Sequence, residues 1–287
     1  MSNLQALRQR ISSIQATKKI TSAMKLIATS HFKKMQKTHL ESKTYVQNLH
    51  QAFQDVVHHK DLHQDLPDLT QKRPLKKHLM IILGSDRGLC GGFNMTMAKH
   101  ISSHSESLKE DIHFLCIGNK IASTLPPEIR ERILKTFPMQ EKSDYSDVVE
   151  LAFYLENLFE TKAFDKVSLA YNHFKSIIAY LPKIHTLLPF GDPMDGMELK
   201  ESKLLFDVDP GAEVLLKPLA FKTMAAHLYH ACVESRLSEQ SARMMAMDNS
   251  TRSAEDMLKD LELTYHRSRQ TMITNELIEI VAGAESL

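Results

Sequence analysis

The chain has 287 residues, with 36 Lys+Arg against 35 Asp+Glu, a formal net charge of +1 and a hydrophobic fraction of 43%. Such a chain can bury a core, which excludes a disordered tail, and its length suits one large domain or two modest ones. Balanced charge argues against a dedicated nucleic-acid binder. The three cysteines (Cys90, Cys116, Cys232) lack C-x-x-C spacing and argue against a disulfide framework, and no apolar run reaches the ~20 residues of a membrane span.

Residues 1–66 and 219–282 contain neither Gly nor Pro, whereas all ten prolines lie between Pro67 and Pro218. Helix interiors exclude both residues, at about 1 kcal/mol for Gly and about 3 for Pro. Each stretch therefore predicts a helix of roughly 95–100 Å at about 1.5 Å per residue, too long for an ordinary core. Leu4, Leu7, Ile11 and Ile14 step 3, 4, 3, the narrow seam of a coiled coil. The next strong apolar residues are Ile20, Met24 and Ile27, so the seam is expected to slip through a stutter at Ala16–Lys19. Near the other end, Leu258, Leu261, Tyr265, Met272, Ile273, Leu277, Ile280 and Val281 form a second stripe.

Between the two helices the period changes. His78–Leu83, Ile112–Ile117 and Lys166–Tyr171 read as buried strands, with helical spacing near 95–109, 119–136 and 144–162. That alternation predicts a parallel sheet with right-handed crossovers. Ser176–Leu188 reads as a further strand at an edge, where Pro182 is tolerated. Asp65–Pro74 and roughly Gly191–Pro218 read as linkers.

Residues 1–40 hold eight basic side chains and no acid: Arg8, Arg10, Lys18, Lys19, Lys25, Lys33, Lys34 and Lys37. A transit peptide and a nucleic-acid helix both fit the charge, but the favoured reading is a basic helix facing an acidic protein partner. The loop Gly84-Ser85-Asp86-Arg87-Gly88-Leu89-Cys90-Gly91-Gly92 follows a strand and precedes a helix, where phosphate cradles sit. Its spacing matches neither G-x-G-x-x-G nor G-x-x-x-x-G-K-[ST], so a tight turn with close backbone packing stands beside nucleotide binding. The i,i+4 pairs His59/His63 and His100/His104 lack a third ligand and read as solvated surface. No catalytic constellation, cofactor site or metal site is expected.

Four motifs in order carry a family resemblance. Leu7-Arg8-Gln9-Arg10-Ile11 with Thr17-Lys18-Lys19-Ile20-Thr21-Ser22-Ala23-Met24-Lys25-Leu26-Ile27-Ala28 is similar to the opening helix of the gamma subunit of F-type ATP synthases. Ser85–Asn94 resembles that family's central signature, and Tyr171–Ser176 is a third match. The fourth runs through Ala242–Met247, Arg267–Gln270 and Ile273–Ala284. Departures are local: Ile121 stands where the family has a second glycine after Gly118-Asn119-Lys120, Asp207-Val208 replaces a Glu-Pro pair, His31 a lysine, and Ser253-Ala254 an Asn-Ala pair.

The resemblance implies an α/β fold class: a long antiparallel coiled coil of N- and C-terminal helices plus a central Rossmann-like α/β domain. Its parts would be 1–66, 75–205 and 217–287. It implies a non-catalytic rotor shaft that couples transmembrane proton flow to ATP synthesis or hydrolysis at beta-subunit sites. Implied partners are the alpha and beta subunits, the epsilon subunit and the membrane c-ring, with no nucleic acid and no cofactor. The implied location is peripheral, on the cytoplasmic face of a bacterial inner membrane. Implied interface positions are Met24, Lys25, Arg243, Arg269, Gln270, Thr274 and Glu276. The alternative reading from the residues alone is an α/β module with coiled-coil arms that binds nucleic acid or nucleotide.

Overall fold

The computed structural model describes residues 2–57, 68–107, 111–139, 145–190, 194 and 212–285. Helix α1 spans Ser2–Val57 and, as the last element in the chain, helix α6 spans Ala212–Glu285. Pro218 therefore lies inside α6, and the helix starts seven residues earlier than the linker reading allows. The rest of that linker, the pair His59/His63 and the segment 58–66 fall outside the described residues. Contacts divide the chain into two compact units, residues 1–29 with 243–287 and residues 30–242. The second half of α1 and about the first two fifths of α6 thus fall in the 30–242 unit.

The 30–242 unit is built on β1 (Lys77–Leu83), β2 (Asp111–Ile117), β3 (Ile133–Phe137), β4 (Lys166–Ser176) and β5 (Ala179–Leu188) in the order β3-β2-β1-β4-β5. The first four are parallel, and β5 returns antiparallel along β4 with Pro182 opposite Asn172 at the sheet edge. The sheet carries α2 (Phe93–Ser107), α3 (Asn119–Thr124), α4 (Pro127–Arg130) and α5 (Tyr145–Glu160). Two expectations fail here. The single helix over 119–136 is two short helices followed by β3, and the strand begun at Lys166 runs on to Ser176 before a hairpin turn.

Strand β1 explains why the sheet holds. Six of its seven residues are buried, so it reads as one apolar run, the pattern of a strand covered on both faces. Leu79, Ile81 and Leu83 pack with Phe53, Leu155, Phe159 and the start of α6, while Met80 and Ile82 face Met97, Ile101 and Ile121. Burying each such side chain is worth about 1.5–3 kcal/mol. The same strand buries His78, whose Nε2 lies 2.9 Å from Ser168 Oγ on β4. Burial, then the nearby Lys166 and His104, push that imidazole down to about 4.

Candidate functional site

In the unit made of residues 1–29 and 243–287, α1 turns one stripe inward. Leu4, Leu7, Ile11, Ile14, Lys18, Thr21, Lys25 and Ala28 are all buried or half-buried and alternate steps of 3 and 4. On α6, Met247, Thr251, Ala254, Leu258, Leu261, Tyr265, Ser268 and Met272 repeat the same rhythm. This is an uninterrupted heptad seam, so the stutter expected at Ala16–Lys19 is absent. The slip was an artefact of reading apolar residues alone: Ile20, Leu26 and Ile27 are exposed, and polar side chains hold the seam in their place.

Those polar positions are cross-linked. Lys18 Nζ lies 3.0 Å from Glu255 Oε1, Lys25 Nζ donates to Asp248 Oδ1 at 2.6 Å, and Thr251 Oγ1 donates to Thr21 Oγ1 at 2.8 Å. As residue numbers rise on α1 they fall on α6, so the helices run antiparallel. Arg252 adds a second cation 2.8 Å from Asp248. The hydrogen bond from Lys25 holds the Asp248 carboxyl below its usual range, against the opposing effect of burial and with help from Arg252.

The seam does not continue past Met272. From Ile273 to Ala282 every side chain is exposed, including Ile273, Leu277, Ile278, Ile280 and Val281 at 45–68%. Among the family-implied interface positions, Arg269, Gln270, Thr274 and Glu276 are exposed within two turns of this helix. Thr274 Oγ1 donates to the Gln270 carbonyl at 2.9 Å, which places those two on one face. Met24 and Arg243 are half-buried, and Lys25 is engaged by Asp248. Asp248 lies 21 residues before Arg269 on α6, roughly 30 Å along the axis. The structure therefore holds two separate stations and does not gather these positions into one site.

In the 30–242 unit the glycine loop spends its polar groups on itself. Asn94 accepts from the Ser85 amide at 3.1 Å and donates to Ser85 Oγ at 2.7 Å, Ser85 Oγ donates to the Arg87 carbonyl, and Asp86 accepts from the Asn119 amide at 2.8 Å. Gly118 has a φ of 118°, and a Cβ there would strike the Gly84 carbonyl at 2.7 Å. The loop is a packed turn, and the nucleotide-cradle reading finds no support in it.

Sequence reasoning missed a cluster. His39 of α1, His173 of β4, and His230 and Glu234 of α6 converge inside this unit. Glu234 Oε1 sits 2.9 Å from His173 Nδ1 and 3.5 Å from His39 Nε2, and accepts from the Phe174 amide at 3.3 Å. Burial alone would raise this carboxyl, but contact with His173, then His39 and the charge of His230, holds it at about 2. The one visible signal was the i,i+4 spacing of His230 and Glu234; the other members come from 57 or more residues away.

A family model described as ATP synthase matches residues 3–287. The chain is 34% identical to the ATP synthase gamma chains of Granulibacter bethesdensis and Rhodospirillum rubrum, each alignment covering 100% of both chains. Its fold resembles a chain in the Euglena gracilis mitochondrial ATP synthase OSCP/F1/c-ring structure, with a TM-score of 0.69 at 17% identity, covering 99% of this chain and 94% of that one. It also resembles a chain of the Tetrahymena thermophila mitochondrial ATP synthase central stalk and c-ring, at TM-score 0.62 and 23% identity, covering 80% and 98%. With a family model over residues 3–287 and relatives of one name matched over their whole length, the chain belongs to the ATP synthase gamma chain family.

Proposed function

We infer that this chain is the central rotor shaft of an F-type ATP synthase, a non-catalytic subunit that couples ion flow through a membrane ring to ATP synthesis or hydrolysis on its beta partners. One observation carries the reading: an antiparallel pair of helices with a cross-linked seam leads into a length of α6 whose apolar side chains face outward. A shaft needs both parts. The locked seam transmits torque, and a smooth apolar end can turn inside a sleeve without a single deep contact to break.

In this reading the alpha and beta subunits surround the paired helices. Arg269, Gln270 and Thr274 grip a carboxylate-bearing beta-subunit loop, with Arg243 and Glu276 as further contacts. A charge-assisted bond of the arginine type is worth about 1.5–3 kcal/mol. Met24 and Lys25 form the second station, against an acidic segment that complements the acid-free run of α1. The epsilon subunit and the c-ring complete the rotor, and the ring provides the attachment to the cytoplasmic face of a bacterial inner membrane. Among the described residues no helix is long and apolar enough to cross a membrane.

The deciding experiment is ATP-driven rotation and hydrolysis by a complex reconstituted from this chain with its alpha and beta partners. Carrying Arg269→Ala and Gln270→Ala together, the complex should lose assembly or turnover several-fold. Wild-type assembly, torque and rate in the double variant would place the grip elsewhere.

A further inference from the structure

We propose that His39, His230 and Glu234, with His173 beside Glu234, form a binding site for one divalent transition-metal ion of the zinc class. The donor atoms of His39, His230 and Glu234 lie within 4.8 Å of one another. Bonds of about 2.0–2.1 Å in a tetrahedral shell put neighbouring donors roughly 3.3 Å apart. The separations of 2.9 Å and 3.5 Å from Glu234 Oε1 to His173 Nδ1 and His39 Nε2 straddle that value. Closing the group onto an ion therefore needs only side-chain adjustment.

Two features of the cluster call for a cation at its centre. His39 Nε2 and His173 Nδ1 are buried and both converge on one carboxylate oxygen, Glu234 Oε1, at 3.5 Å and 2.9 Å, without the alignment of a good hydrogen bond. An ion bound at that point would give these donors a common, well-directed partner. The outer contacts are also those of a ligand set. Ser42 Oγ lies 2.9 Å from His230 Nδ1, which fixes the ring and leaves its Nε2 as the nitrogen available to an ion, and the Phe174 amide donates to the Glu234 carboxylate.

The donor chemistry selects the ion. Imidazoles with one carboxylate suit zinc, copper, nickel or iron, whereas calcium and magnesium demand shells of oxygen. With His230 4% and Glu234 3% exposed, the ion would be enclosed. Its position among residues of α1, β4 and α6 makes it a brace of this unit.

The test is metal binding by the purified full-length chain, using zinc(II) in competition with a chromophoric chelator and cobalt(II) as a spectroscopic probe. One tightly held ion per chain is expected, with the intense visible bands of four-coordinate cobalt. Ser42→Ala should weaken zinc binding about 10- to 100-fold by releasing the His230 ring. Glu234→Gln and His39→Gln should each abolish the tight site, while His100→Ala with His104→Ala should leave it intact. His39 is the less buried ligand, so its variant keeps the question open to decision if Glu234→Gln fails to fold. Absence of a tight ion in the wild-type chain, or a tight ion that survives His39→Gln, would overturn the site and leave the cluster as a network of imidazoles around a carboxylate.

Discussion

Gly84 and Ile121 occupy one space between them. A Cβ built on Gly84 would fall 2.2 Å from Ile121 Cβ and 2.4 Å from its Cγ2, deep inside van der Waals contact. Ile121 is fully buried at the start of α3, so the close approach of β1's end to α3 is filled from one side only. Gly84→Ala should destabilise the 30–242 unit by about 3 kcal/mol through overpacking, and Ile121→Ala by about 2–4 through a cavity. The double variant should cost at least about 1 kcal/mol less than the sum, measured by urea unfolding. Additive losses would show that the two side chains do not share a site.

The polar rungs of the seam give a second expectation. Lys25→Asp should lower the melting temperature of the chain by setting two carboxylates side by side, and adding Asp248→Lys should restore part of the loss. A reversed pair that recovers nothing would mean that the seam does not depend on this contact. The pH dependence has a definite sign. Asp248 titrates below its ordinary range when folded, so its contribution is complete at neutral pH and fades only as the pH drops through that lowered value.

His78 predicts an acid-labile core. Its ordinary value is 6.5 and its folded value about 4, so above 6.5 the imidazole is neutral in both states and adds no pH dependence. Between 6.5 and 4 the unfolded chain takes up a proton that the folded chain refuses, and stability falls by about 3 kcal/mol. His78→Gln can retain a hydrogen bond to Ser168 while removing the titration. The stability difference between this variant and wild type should change across that window, and a constant difference would rule the assignment out.

These three sites show what the sequence could and could not disclose. Strands β1, β2 and β4 were legible because a strand covered on both faces must be apolar throughout. Strand β3 was not, because an edge strand exposes Leu134, Lys135 and Thr136 and leaves no period to find. The seam was legible at Leu4–Ile14 but misread beyond it, since Lys18, Thr21 and Lys25 become seam residues only when Glu255, Thr251 and Asp248 arrive from the far end of the chain. The histidine cluster was hidden for the same reason. The exposed positions Arg269 to Glu276 came from family likeness, and spacing alone gave them no more than a solvated helix face.

Leu258 and Leu277 separate the two roles of α6. Leu258 is 8% exposed in the seam, so Leu258→Ala should cost the isolated chain about 2 kcal/mol or more. Leu277 is 57% exposed, and Leu277→Ala should change stability by less than about 0.5 kcal/mol. Thermal unfolding of both variants checks the contrast. A large loss from Leu277→Ala would mean that the helix end is packed within the chain.

The outward-facing stretch Ile273–Ala282 also bears on the life of the chain before it meets any partner. A helix with no neighbour keeps only its own backbone hydrogen bonds and opens with little free-energy cost, so it is the first segment a protease can thread. Its apolar side chains are the kind of surface that chaperones and other sticky chains recognise. A partner that covered these residues would withdraw the same surface from proteases and chaperones alike, so assembly and protection of the chain would be one event.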